Sequence, residues 1–152
     1  VSDLVRALAQ RVMELERRVD GLVRPEVMRP PVWLDSPLTS ASWDGDSYST
    51  TAKTLIDLSA VFGAPAGIKA ALFFVGIRDS GSNGTDCWLI LGPTNVAGSG
   101  LTADCHTVND RWKRHCLEVP CNADGDVYYQ INASGAGTMD VYLQIWAYCP
   151  GG

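Results

Sequence analysis

The sequence predicts a mainly β chain: an antiparallel β-sandwich, most simply a jelly roll, preceded by an N-terminal α-helical coiled coil. Three observations carry that prediction. The first 23 residues keep a strict heptad of apolar side chains. A Pro-rich stretch then forbids helix. From about Trp43 onward, short runs of β-branched and aromatic residues alternate with turn clusters rich in Gly, Asn and Asp. The chain is thus read as a helix over 1–23, an extended connector over 24–42 and a β head over 43–152.

In the helix, Val5, Val12 and Val19 take heptad position a, while Val1, Leu8, Leu15 and Leu22 take d, so every seam position is apolar. A helix packed on its own domain shows a wider, less regular stripe. The strict 3.5 period favours the coiled coil and makes these seven the candidate oligomerisation residues. The heptad leaves the number of strands open. β-branched residues at a with Leu at d lean towards two, whereas Leu4 and Ala9 at g and e widen the apolar face as a three-stranded seam requires. A helix of about 35 Å is marginal alone, so the head is expected to help hold the chains together.

Pro25, Pro30, Pro31 and Pro37 interrupt any helix in the connector. Its apolar Val27, Met28, Val32, Trp33 and Leu34 are costly to leave in water, so it reads as a docked, strand-like arm. In the head, TTAKTLIDLS, GIKAALFFVGIRD, DCWLILG, RWKRHCLEV, DVYYQINAS and TMDVYLQIWAYC read as strands. TMDVYLQIWAYC alternates, with Met139, Val141, Leu143, Ile145 and Ala147 on one face. Asp140, Tyr142, Gln144, Trp146 and Tyr148 fall on the other. AALFFVGI is apolar on both faces, as suits a central strand or a subunit contact.

Composition narrows the function. The chain has 152 residues, enough for one domain plus a short element, and its 46% hydrophobic and 19% charged residues are globular values. No apolar run reaches the roughly 20 residues of a membrane span, so no membrane insertion is expected. The first 20 residues are too evenly charged for the apolar centre of a signal peptide. Residues 1–24 carry five basic and four acidic side chains, but residues 25–152 carry seven basic against thirteen acidic. That surface repels phosphate, so no nucleic-acid partner is expected.

Chemistry-bearing residues are few. Cys87, Cys105, Cys116, Cys121 and Cys149 are an odd set, and with His106 and His115 they lack the paired spacing of a zinc site, so no metal or other cofactor is expected. Buried free thiols are the default for a protein assembled in a cytoplasm, with a Cys116–Cys121 or Cys105–Cys116 disulfide the alternative under oxidising conditions. NADGD at 122–126 and WDGD at 43–46 lack the closing ligands of a calcium loop and read as turns. With two His and no nucleophile elbow, no catalytic residue is assigned. RWKRHC places Arg111, Lys113 and His115 on one strand face and Trp112, Arg114 and Cys116 on the other, a solvated strand face. Trp43, Tyr48, Trp88, Trp112, Tyr128, Tyr142, Trp146 and Tyr148 are candidates for sugar stacking, but each taken singly is better suited to a core or subunit contact, so ligand-binding residues stay unassigned. Asn83 and Asn132 begin glycosylation sequons, meaningful only in a eukaryotic secretory route.

TLIDLSAVFGAPAGIKAALFFVGIRDSGS resembles a segment of small β-sandwich domains in bacteriophage fibre and tail proteins. There a DLS-type strand end, a Pro-Ala-Gly turn and a long apolar strand follow one another. ADGDVYYQINASGAGTMDVYLQIWAYC is similar to the closing hairpin of the same domains. The resemblance covers roughly residues 54–80 and 123–149. It implies a homotrimeric jelly-roll head on a coiled-coil stalk, mounted on a virion. Such a protein is non-enzymatic, its head attaching to a host-surface glycan or protein and its helix or connector holding another virion protein. A capsid decoration or head-fibre protein is the nearest alternative. A secreted trimeric adhesion or signalling module follows, and a small carbohydrate-active enzyme comes last.

Overall fold

Alternation in AALFFVGIRD puts Ala71, Phe73, Val75 and Ile77 on one side of a strand, and in the computed structural model all four are fully buried between two sheets. The structure describes residues 3–23, 29–40, 43, 52–81 and 86–151, with side chains of the N-terminal helix described over 5–15. In chain order the elements are α1 (Asp3–Val23), β1 (Val32–Thr39), β2 (Thr54–Ile56), α2 (Leu58–Phe62) and β3 (Ala70–Asp79). They continue with β4 (Trp88–Gly92), β5 (Leu101–Asp104), β6 (Lys113–Pro120), β7 (Val127–Asn132) and β8 (Met139–Cys149). The strands form two four-stranded antiparallel sheets, ordered β1-β8-β3-β6 and β2-β7-β4-β5. Their inner faces supply one core, with Phe73, Leu89, Leu91, Tyr129, Ile131 and Ile145 among its largest buried side chains.

The apolar arm that the sequence places in the connector is the edge strand β1, paired antiparallel with β8. The sandwich therefore takes in residues from Val32 onward. Pro37 is tolerated because it falls between Trp33 and Leu38, where the ladder with β8 is interrupted.

Two features depart from simple strand reading. TTAKTLIDLS yields only the three-residue β2, because Asp57 caps a helix. Its carboxylate accepts from Ala60 N–H at 2.9 Å, and Gly63, at φ 72°, closes α2 in the left-handed region that a side chain disfavours. The second departure is a β-bulge in β8. Leu72 pairs with Ala147 but Phe73 pairs with Ile145, which leaves Trp146 without a partner on β3. One extra residue reverses the alternation beyond it. Ala147 and Cys149 thus leave the core for the outer face, and Tyr148 packs against the core instead.

Loops at one end are pinned by a buried carboxylate. Asp79, 2% exposed at the end of β3, accepts from Gly81 N–H at 2.8 Å, Ser134 N–H at 3.0 Å, and the Ser134 and Thr138 hydroxyls. Burial pushes its pKa up, but those donors outweigh it and hold the group below the usual carboxylate value. The NADGD turn behaves as expected of a turn: Asn122 Oδ1 accepts from the Asp124 and Asp126 N–H groups at 3.0 and 2.8 Å.

Candidate functional site

Among the described residues, two apolar surfaces on the outside of the chain are the candidates. The first is the helix seam. α1 runs unbroken through all the heptad positions from Val5 to Leu22, while Val1 lies outside the described residues. Among the described side chains, Val5, Leu8, Val12 and Leu15 are 52%, 57%, 51% and 55% exposed, so the seam has no cover within its own chain.

The second surface is the outer face of the β1-β8-β3-β6 sheet. An antiparallel sheet facing water normally carries polar residues there. On β3 this face carries Ala70, Leu72, Phe74 and Gly76 before the first charge, Arg78. At one end, the β8 bulge and the edge strand together form a shallow groove of about 110 Å³. Pro31, Trp33, Leu72, Ala147 and Cys149 line it, with Glu118 as its one charged group. Trp33, opposite Ala147 in the ladder, is 68% exposed.

At the other end lies an aromatic and ionic cluster. Tyr142 pairs with Gly76 across β8 and β3, and a Cβ at Gly76 would sit 1.9 Å from the Tyr142 ring. Only glycine lets that ring lie flat on the sheet. The ring centroid stands 5.3 Å from Trp112 and 6.2 Å from Phe74, and its hydroxyl takes a hydrogen bond from Arg114 Nε at 3.2 Å. The Arg78 guanidinium lies 4.9 Å above the Trp112 ring while pairing with Asp140 and, at 3.2 Å, with Asp110. The Tyr142 hydroxyl and the Arg78, Asp110 and Asp140 groups are thus engaged within the cluster.

The other candidate aromatics disperse. Trp43 and Tyr148 pack against the core, Trp43 edge-on to Tyr129 at 5.5 Å. Trp88 and Tyr128 are half-buried on the second sheet, Trp146 is partly exposed at the bulge, and Tyr48 lies outside the described residues. The basic run splits as its alternation requires. Trp112, Arg114 and Cys116 are on the outer face, while Lys113 and His115 turn towards Asp104. The Lys113 ammonium, 2.6 Å from Asp104 Oδ2, holds that carboxyl below its ordinary value despite burial.

The cysteines do not pair as spacing alone suggests. Cys116 and Cys121 are separated by five steps of extended chain, about 16 Å, against the 4.4–6.8 Å between Cα atoms that a disulfide spans. Cys116 is exposed on the outer face and Cys105 is buried in the core, which separates that pair too. Cys105 instead neighbours Cys87, its N–H donating to the Cys87 carbonyl at 2.8 Å, and burial pushes its thiol up to about 12. Burial does the same to Cys121. Among the described residues, no three His, Cys, Asp or Glu side chains are grouped to hold a metal ion. Nor is any described helix long and apolar enough to cross a membrane. Of the two sequons, Asn83 lies outside the described residues, and Asn132 Nδ2 donates to the Asp86 carbonyl at 2.5 Å.

Sequence reasoning missed β5, α2 and the groove. The groove needs the bulge, for which the sequence of β8 carries no Gly or Pro signal. Comparison of the chain with family models, with curated proteins and with solved structures gave no match in any of the three.

Proposed function

We propose that this chain is a non-enzymatic, homotrimeric fibre or spike protein of a phage-like particle. Its helix assembles three copies and its β head attaches to a host surface, glycan or protein. The observation that carries the reading is the bare seam: Val5, Leu8, Val12 and Leu15 occupy consecutive a and d positions, and each is more than half exposed. Fully burying a Val or Leu side chain contributes about 1.5–3 kcal/mol, so a partner helix gains several kcal/mol from the described seam alone. A helix that belonged to its own domain would have that stripe covered.

Two further points support the reading. The spatial strand orders, β1-β8-β3-β6 and β2-β7-β4-β5, are those of an eight-stranded jelly roll. The two stretches that resemble phage fibre domains also pair with each other, β3 with β8 at the centre of one sheet and β2 with β7 along one side of the other. Function then rests on avidity: three heads on one stalk turn weak contacts into firm attachment.

Light scattering on the intact chain tests the assembly. The expected mass is three times the 16.4 kDa of one chain, collapsing to one on Leu8→Asp with Leu15→Asp. A monomeric intact chain refutes the stalk. Binding of the trimer, but not of the double variant, to whole bacterial cells tests the attachment role. Equal binding by both refutes avidity.

A further inference from the structure

We infer that the outer face of the β1-β8-β3-β6 sheet is the contact between neighbouring heads, and that a second copy of this chain occupies it. The inference rests on the trimeric reading and names the surface that completes it.

The first ground is the tether. Eight residues separate Val23 at the end of α1 from Val32 at the start of β1. Fully extended they reach no more than about 30 Å. A head of roughly 120 residues is about 35 Å across. Three heads on one stalk are therefore held within contact distance of each other. Strand β1 is where each head meets its tether, and it is the edge of this same sheet, bringing Trp33 onto this same face.

The second ground is the chemistry of the face. Its groove is apolar apart from Glu118, and its Tyr142, Arg78, Asp110 and Asp140 groups are already joined to one another or to Arg114. A protein surface of like character would find apolar area to bury. The charges also suit a head-to-tail contact, in which different ends of the face meet: exposed Arg114 and Glu118 stand on either side of Cys116 along β6. Repeated around a three-fold axis, Arg114 of one copy meets Glu118 of the next.

Cys116 is a built-in reporter. It lies opposite Phe74, midway along the edge strand β6 on this face, and is the exposed one of the five thiols. The experiment measures its rate of reaction with Ellman's reagent in the intact chain and in the Leu8→Asp/Leu15→Asp variant. We expect reaction at least tenfold slower in the trimer than in the monomer. Leu72→Arg on an intact seam should restore the fast rate. Trp33→Ser, at an exposed edge position outside the core, provides the same test if the Arg variant folds poorly, with circular dichroism checking each fold. If the chain is trimeric yet Cys116 reacts equally fast in both forms, the face is not the contact, while the stalk reading stands. If the intact chain is monomeric, both fail. Protection of Cys116 by free oligosaccharide in the monomer would also overturn the proposal, and would make the face a glycan site.

Discussion

Replacing Asp79 by Asn probes the strongest polar anchor of the head. The carboxylate is almost fully buried and receives two backbone N–H groups, from Gly81 and Ser134, and two hydroxyls, from Ser134 and Thr138. Asparagine keeps the volume but turns one oxygen into an NH₂ group. The hydroxyls can rotate to accommodate it, and Thr138 already has an alternative acceptor in the Gly135 carbonyl. The backbone N–H groups cannot rotate. Whichever way the amide faces, its NH₂ meets either the Gly81 or the Ser134 N–H and leaves that donor buried without an acceptor. That costs about 1–3 kcal/mol, and the remaining bonds lose their charge assistance, for a total of about 2–4 kcal/mol. For a chain of this size the melting temperature should fall by roughly 5–15 °C at fixed protein concentration. The pH dependence is a second check. The folded-state pKa of Asp79 lies below its unfolded value, so its stabilisation is fully present above about pH 4 and is lost as pH falls through the folded value. The gap between the native chain and Asp79→Asn should therefore be flat from about pH 7 to pH 5 and narrow below about pH 4. Urea denaturation followed by tryptophan fluorescence at each pH measures both. A loss below about 0.5 kcal/mol, or a gap unchanged to pH 3, would refute the anchor.

Gly76→Ala drives a methyl into the Tyr142 ring and should cost about 1–3 kcal/mol. Added to Tyr142→Ala it should cost much less, and additive losses in that double-mutant cycle would show that the ring does not depend on the glycine. Phe73→Ala, at the fully buried centre of β3, should cost about 3–5 kcal/mol by chemical denaturation. Deleting Trp146 removes the extra residue while Phe73 still meets Ile145 and Leu72 still meets Ala147, so Ala147 and Cys149 should stay on the outer face and Tyr148 on the inner one. Solvent exposure of Tyr148, read by tyrosine nitration and mass spectrometry, should stay at the native level, and a rise would mean that Trp146 is not the inserted residue.

What the sequence discloses follows from how local each signal is. β3 was legible as a long run of apolar, β-branched and aromatic residues, the first seven residues of β8 because they alternate against a core without interruption, and the heptad because one period runs through α1. The helix α2 was hidden by its brevity: LSAVF is five residues, too short to show a period, and only Asp57 before it and Gly63 after it mark its ends. β5, LTAD, is equally short and owes its place to pairing with β4. The faces of Ala147, Tyr148 and Cys149 could not be read, because the bulge arises from how β8 meets both β1 and β3. The same holds for the cysteines. Spacing along the chain joins Cys116 to Cys121, whereas the ladder separates them and sets Cys87 beside Cys105.

The two uncovered surfaces of this chain are better explained together than apart. A seam of 21 helical residues is near the lower limit for a coiled coil that must hold alone, since helix nucleation is costly and three heptads bury little area. A sheet face of this mixed apolar and aromatic character is likewise a modest contact between free heads at low concentration. Joined by eight residues, each surface raises the effective concentration at which the other meets its partner, to about the millimolar range for so short a link. Under the trimeric reading, the seam brings the faces into reach and the faces keep the seam from fraying. Trp33 stands where these roles meet, on the strand that receives the tether and on the groove that faces the neighbour. Its 68% exposure in a single chain is then the mark of a surface finished only by assembly.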